Sequence, residues 1–227
     1  MRPAQALVLT AAASVLIVAS RRSGGQIEAG EGDYLGGFST SALIDSGESL
    51  LNQITQAPAN VDGDTAARNT AAFLTMLQYA EGTAGQFDPY RVCYGYSHTI
   101  QDLSNHPAVT GEWRGQPLSD SMCELAGFGP GCVSSAAGAY QLIKGTWLSV
   151  QRALSLPDFS GPSQDAAAVE LIRRRGALED VKAGRFTTAV GKCRNEWASL
   201  PGNYAQQGQR SIETLAGWYG EAGGTIA

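Results

Sequence analysis

The stretch from Arg68 to Glu81 constrains this chain more than any other. Phe73, Leu77 and Ala80 recur at spacings of four and three, which predicts a helix with one apolar face. Glu81 falls on that same face, four residues after Leu77, and stands directly before the break Gly82-Thr83. A carboxylate so placed either reaches water at the helix end or is held in apolar surroundings. In the second case burial raises its pKa, and the negative end of the helix dipole acts in the same direction. A Glu kept protonated near neutral pH is what a general acid requires.

Charge divides the rest of the chain into blocks. Residues 1–22 carry Arg2, Arg21 and Arg22 and no acid, and Ala6 to Ser20 is free of charge. Fifteen helical residues span about 22 Å, short of a hydrocarbon core of roughly 30 Å. The segment therefore reads as the apolar region of an export signal, with Val18-Ala19-Ser20 as a cleavage site, or as an uncut N-terminal anchor. Residues 23–67 contain no Lys or Arg but seven acidic residues among Gly and Ser clusters, the composition of a tether. Within it, Leu43, Ile44, Leu50, Leu51 and Ile54 predict a short amphipathic helix. Residues 68–227 hold 13 basic and 14 acidic residues, with no concentrated basic face of the kind nucleic acid demands.

Four cysteines agree with export. Cys123 and Cys132 bracket a Gly/Pro loop short enough for a local bridge, and that is the preferred pair. Cys93 and Cys193 then form a second bridge or stay free. Three connectivities exist in principle, and spacing alone does not select one.

From Arg68 onward the pattern is that of a compact α+β domain. The first helix has Asp64 or Thr65 as its N-cap candidate. Tyr90 to Thr99 reads as a strand turned at Gly95. Gly111 to Gly131 reads as loop. Helices follow within Ala136–Ser155, through Ala166–Arg175 behind Ser163, over Phe186–Trp197 up to Leu200-Pro201-Gly202, and over Ile212–Tyr219. Two histidines without Cys or Asp at ligand spacing argue against a catalytic metal, and nothing calls for a cofactor.

Several segments occur together in a telling order. Phe73 to Leu77 precedes Glu81-Gly82-Thr83; Asp102 to Pro107 follows, then Ala136-Ala137-Gly138-Ala139-Tyr140-Gln141-Leu142. Leu156 to Ser160 with Ser163-Gln164-Asp165 comes next, then Arg175-Gly176-Ala177-Leu178, Cys193 through Trp197 to Gly202, and the tail Glu221 to Thr225. Over about residues 68–226 the chain thus resembles the bacteriophage lambda-type endolysins. The resemblance implies a lysozyme-like fold, mainly helical with a small antiparallel sheet. It implies a lytic transglycosylase that acts on the glycan strands of bacterial peptidoglycan, with Glu81 as its catalytic acid. It also implies Tyr140 and Gln141 as cleft residues, with Ser134 and Ser135 adding hydroxyl contacts.

The alternatives stay in view. Tyr140 is equally a core aromatic with a satisfied hydroxyl. Asp102 is either a substrate-side carboxylate, the partner of Glu81 in a hydrolytic muramidase, or a turn cap. His106 reads as structural, Trp147 and Trp197 as packing, and Trp113 as the tryptophan suited to sugar stacking. Ala139 stands where the family pattern has Arg, which removes a cation, and Asn105 stands where it has Asp. A non-catalytic peptidoglycan-binding or virion membrane protein is the reading from another class. The catalytic domain is expected to act as a monomer, with a membrane or virion as the partner of its N-terminal segment.

Overall fold

The computed structural model describes residues 62–203 and 208–227. The hydrophobic segment 1–22, nearly all of the tether and its short helix lie outside the described residues. Among the described residues, no helix is long and apolar enough to cross a membrane.

The first helix, α1 (Gly63–Ala80), begins earlier than its apolar spacing suggests. Asp62 is the cap. Its carboxylate accepts the Thr65 amide at 2.9 Å and the Thr65 hydroxyl at 2.7 Å. First-turn amides have no partner inside a helix, so the residue that satisfies one sets the start. Asp64 and Thr65, expected as caps, sit inside the first turn. Residues 62–67 therefore belong to the folded body and not to the tether. Phe73, Met76, Leu77 and Ala80 form the buried face of α1, as the spacing predicts.

Two 3-10 turns follow, at Pro89–Arg91 and Tyr94–Tyr96, where a strand was expected. Asp88 caps the first, Gly95 takes φ +66° in the second, and strand pairing reduces to one bridge between Val92 and Thr99. The expected loop 111–131 is more structured than its composition implies. After a short helix, α2 (Pro107–Thr110), it contributes β1 (Gln116–Pro117) and α3 (Asp120–Leu125). Ser119 starts α3 by accepting the Met122 amide. β1 pairs antiparallel with β2 (Val133–Ser134), Gln116 opposite Ser134.

The remaining helices are α4 (Lys144–Leu154), α5 (Gly161–Arg174), α6 (Leu178–Lys182), α7 (Phe186–Cys193) and α8 (Ile212–Glu221). α1 packs on α6 and α8, and α4 on α5. Ser163 does not cap α5; Ser160 precedes it, and the Ser163 hydroxyl donates to Asp158 at 2.8 Å. The main core joins Phe73, Leu77, Trp147, Phe159, Phe186 and Tyr219. Trp147 meets Phe159 edge-on, with centroids 4.7 Å apart.

A smaller core surrounds the Cys123–Cys132 disulfide, whose Cα atoms are 5.7 Å apart, with Tyr94, Leu118, Ala136 and Ile143. The second bridge is not formed. Cys93 and Cys193 are both free thiols buried in the main core, where burial pushes each up to about 12. They behave as small apolar side chains, not as a staple.

Asn69 ties three elements together from the buried side of α1. Its amide donates to the Lys182 carbonyl at 3.0 Å and accepts the Thr225 amide at 2.9 Å. Asn69→Ala abolishes both bonds, for an expected loss of about 1–3 kcal/mol. Urea denaturation checks this, and an unchanged midpoint would show that neither bond stabilises the fold.

Candidate active site

The backbone around Glu81 is fixed before its side chain is considered. Glu81 ends α1 with its amide on the Leu77 carbonyl at 2.9 Å. Gly82 then takes φ +77°, and its amide reaches the Tyr79 carbonyl. A Cβ at Gly82 would meet the Tyr96 hydroxyl at 2.9 Å, so glycine satisfies both the left-handed backbone and a close approach. Tyr96 donates that hydroxyl to the Gly82 carbonyl. Thr83, fully buried, donates to the Ala139 carbonyl at 2.7 Å. The end of α1 is thereby bound to the turn at 137–142.

The Glu81 carboxyl is 8% exposed. Its one hydrogen bond among the described residues comes from the Ser199 hydroxyl, which donates to Oε1 at 2.6 Å. Ser199 lies in the turn after α7 and has no exposed surface. Burial raises the Glu81 pKa to about 7; the Ser199 bond and the positive charge of Arg210 both oppose that rise without cancelling it. The carboxyl is thus neutral for much of the time near pH 7. The water-facing helix end is excluded.

Other side chains expected in the cleft are engaged elsewhere. Tyr140 is 1% exposed, and its hydroxyl donates to Asp165 at 2.5 Å. Gln78 and Tyr90 complete this internal network, in which Tyr90 also donates to Asp165. Tyr140 is therefore a core residue with a satisfied hydroxyl, and not an open face for a sugar. Gln141 takes φ +48° and donates its amide to the Gly138 and Val92 carbonyls, bracing the turn. Ser134 accepts the Ala136 amide, and Ser135 accepts the Lys144 amide at the start of α4. Both serines are buried. Their hydroxyls serve the backbone, because a loop-rich region must find partners for its own polar groups.

Asp102 is exposed and accepts the Ser104 amide at 2.8 Å, which holds its carboxyl below the usual range. It is the turn cap. His106 is fully buried between the Leu142 carbonyl and the Ala108 amide, and burial pushes it down to about 4. Asn105 accepts the Trp147 indole N–H and the His106 amide. Trp113 is half-buried against both cores. Ala139 is fully buried, its amide held by Gln164 at 2.9 Å. The turn around it closes against Gln164, since a Cβ at Gly138 would lie 2.1 Å from Gln164 Oε1.

Three features of the site escape a reading of the sequence. Ser199 falls in a segment singled out above, yet nothing local marks its hydroxyl as the partner of a residue 118 positions earlier. Arg210 carries no motif at all. Exposed aromatic surface near the end of α1 comes from Tyr79, stacked on Trp218 at 5.4 Å, and from Tyr96, whose hydroxyl meets the Gly82 carbonyl. Periodicity places Tyr79 off the apolar face of α1, and that was the one available signal.

The family model Endolysin matches residues 71–226. The endolysin of Escherichia phage P2 is 39% identical over 160 residues, covering 70% of this chain and 96% of that protein. The endolysin of Escherichia phage lambda is 35% identical, covering 68% and 91%. Among solved structures, bacteriophage lambda lysozyme complexed with a chitohexasaccharide superposes with a TM-score of 0.59 at 34% identity, covering 70% of this chain and 97% of that one. A second lambda lysozyme structure gives a TM-score of 0.55. The lysozyme-like architecture is therefore established, and this chain belongs to the endolysin family.

Proposed function

We propose that the protein is a lytic transglycosylase that cleaves the β-1,4 bond between N-acetylmuramic acid and N-acetylglucosamine, with Glu81 as both its acid and its base. At the coarser level, a member of this family with the fold of lambda lysozyme is a glycosidase acting on peptidoglycan. The observation that carries the finer reading is the isolation of Glu81. Among the described residues, its one side-chain hydrogen bond is with the neutral Ser199 hydroxyl, and the charge that bears on its titration is the cation Arg210. Retaining and inverting glycosidases need a partner carboxylate about 5–9.5 Å away. Asp102, the candidate for that role, is occupied as a turn cap.

One carboxyl suffices if the sugar supplies the other reactive group. Protonated Glu81 donates its proton to the departing glycosidic oxygen. The carboxylate left behind accepts the proton of the muramic acid C6 hydroxyl as that oxygen bonds to C1. The product is a 1,6-anhydro sugar, the proton count on Glu81 is restored, and no water is consumed. A pKa near 7 suits a group that must give and take the same proton. The lambda enzyme's complex with a chitohexasaccharide supports a glycan in the corresponding cleft here. Mass analysis of released muropeptides tests the reaction: anhydro products support it, and reducing-end muramic acid would make the enzyme a hydrolytic muramidase.

The same reading extends to location. Charge-free Ala6–Ser20 ahead of an acidic tether supports an exported enzyme, held at the membrane facing the host periplasm or carried on a virion. The Cys123–Cys132 disulfide suits an oxidising compartment. Host lysis and local wall opening are both consistent with it. N-terminal sequencing of the mature protein separates a cleaved signal from a retained anchor.

Glu81→Gln keeps the shape and the Ser199 bond but has no proton to donate, so activity should fall by about 100-fold or more. A zymogram equal to wild type would sink the role of Glu81. The same variant has a thermodynamic signature. Because the native carboxyl holds its proton to about 7 instead of 4.5, the native state binds more protons between these values, and wild-type stability declines as pH rises through that window. Relative to wild type, Glu81→Gln should gain about 2–3 kcal/mol between pH 4.5 and pH 8 in urea titrations.

Ser199→Ala should act on titration rather than folding. The hydroxyl favours the ionised form, so its loss should move the alkaline limb of the kcat/KM profile upward by about one pH unit. A limb displaced downward would show that Ser199 favours the acid form.

A further inference from the structure

Arg210 is the anomaly of the site. Its Nε is buried without a hydrogen-bond partner, and Arg210 is absent from the ion pairs among the described residues. Four arginines elsewhere in this domain have carboxylate partners: Arg173 and Arg174 pair with Glu170, Arg175 with Glu196, and Arg185 with Asp180. Arg210 instead lies over the Trp218 ring, 5.9 Å from its centroid. Trp218 stacks in turn on Tyr79, two residues before Glu81.

The position is held and not merely accidental. The Arg210 amide donates to the Ser199 carbonyl at 2.9 Å, which fixes it to the residue that binds Glu81. Beside it, Gln209 accepts the Gly202 amide and donates to the Asn203 carbonyl. The side chain remains half-exposed while its Nε is sealed. A guanidinium deprived of water on one edge, resting on an aromatic face and without a direct ion pair among the described residues, is arranged for planar recognition of an incoming carboxylate. Protonation of Glu81 removes the negative charge on which Arg210 acts.

We infer that Arg210 is a specificity-determining residue that binds a carboxylate of the glycan strand, so that the cleft prefers acidic strands to neutral N-acetylglucosamine polymers. This rests on the peptidoglycan reading above. Two groups on such a strand offer that chemistry: the lactyl acid of muramic acid, free once the peptide is removed, and the carboxylates of the stem peptide. Either would seat against the outer nitrogens of the guanidinium, with the sugar ring alongside the Tyr79 and Trp218 faces.

The test measures binding in the full chain carrying Glu81→Gln, with and without Arg210→Gln. Three ligands are compared: chitohexasaccharide, peptide-free glycan strands of similar length, and peptide-bearing strands. Arg210→Gln should weaken the acidic ligands by about tenfold or more, the range of a charge-assisted bond, and leave chitohexasaccharide within about twofold. A loss confined to peptide-bearing strands assigns the stem peptide, a loss confined to peptide-free strands assigns the lactyl acid, and a loss on both shows that Arg210 seats either carboxylate. Equal loss on all three ligands, or none on any, overturns the inference. If Arg210→Gln fails to fold, salt supplies the second measurement. Between about 50 mM and about 500 mM, affinity for acidic strands should fall while that for chitohexasaccharide holds, and parallel behaviour overturns the inference. Cleavage persisting in Glu81→Gln would instead be a failure of the catalytic reading, visible in the products and independent of these affinities.

Discussion

The hydrogen bond from Ser199 to Glu81 joins residues 118 positions apart and closes the site on which everything else converges. Three further contacts hold its two ends. Thr83 binds the end of α1 to the Ala139 carbonyl, Trp197 donates its indole N–H to the Tyr140 carbonyl, and the Arg210 amide binds Ser199 itself. The first helix, the central turn and the last third of the chain thus meet at one carboxyl. Without that closure, Glu81 would be a hydrated helix terminus titrating near 4.5. With it, the carboxyl has one good donor where an ionised form would want two or three, and it keeps its proton to about 7.

The central turn shows how a domain with little regular structure satisfies its own backbone. Residues 136–143 form no helix. Ala137 pairs with Cys93 on one side and Leu142 on the other, and Gly138 has φ +78°. Four polar side chains in and around this turn serve main-chain groups: Ser134, Ser135, Gln141 and Gln164. A segment whose residues look like a sugar-binding strip is, in this fold, the scaffold that aims Glu81. The groups left open to a ligand are instead the aromatic faces of Tyr79 and Tyr96 and the outer edge of Arg210.

What was legible in the sequence follows the range of the interaction. The apolar face of α1 and the place of Glu81 on it are set by spacing within two turns, and both were readable. So was the Cys123–Cys132 bridge, which closes a short loop. The helices α4, α5, α7 and α8 were recognisable from periodicity, but their ends shifted; α4, for one, starts at Lys144, whose amide the distant Ser135 hydroxyl accepts. Tyr90 to Thr99 misled because β-branched and aromatic residues report a half-buried surface, which two 3-10 turns also provide. Tyr140 misled because its hydroxyl has a partner, Asp165, that only the tertiary fold brings near. Ser199 and Arg210 were beyond reach for the same reason.

On the proposed mechanism, the balance of charge around Glu81 is what lets one carboxyl do two jobs. A direct ion pair with Arg210 would hold it ionised at neutral pH and remove the acid. Burial with no cation nearby would raise its pKa further and leave the carboxylate formed in the first step without support. Arg210 acts on Glu81 through space while its guanidinium rests over the Trp218 ring, so it tempers the effect of burial without overcoming it. Ser199 makes the same kind of contribution from the other side, favouring the carboxylate through a single bond. The resulting group sits close to midway between donor and acceptor at neutral pH, the condition under which proton transfer in both directions is least hindered. A second carboxylate would upset this balance, since its charge would drive Glu81 further toward the protonated form.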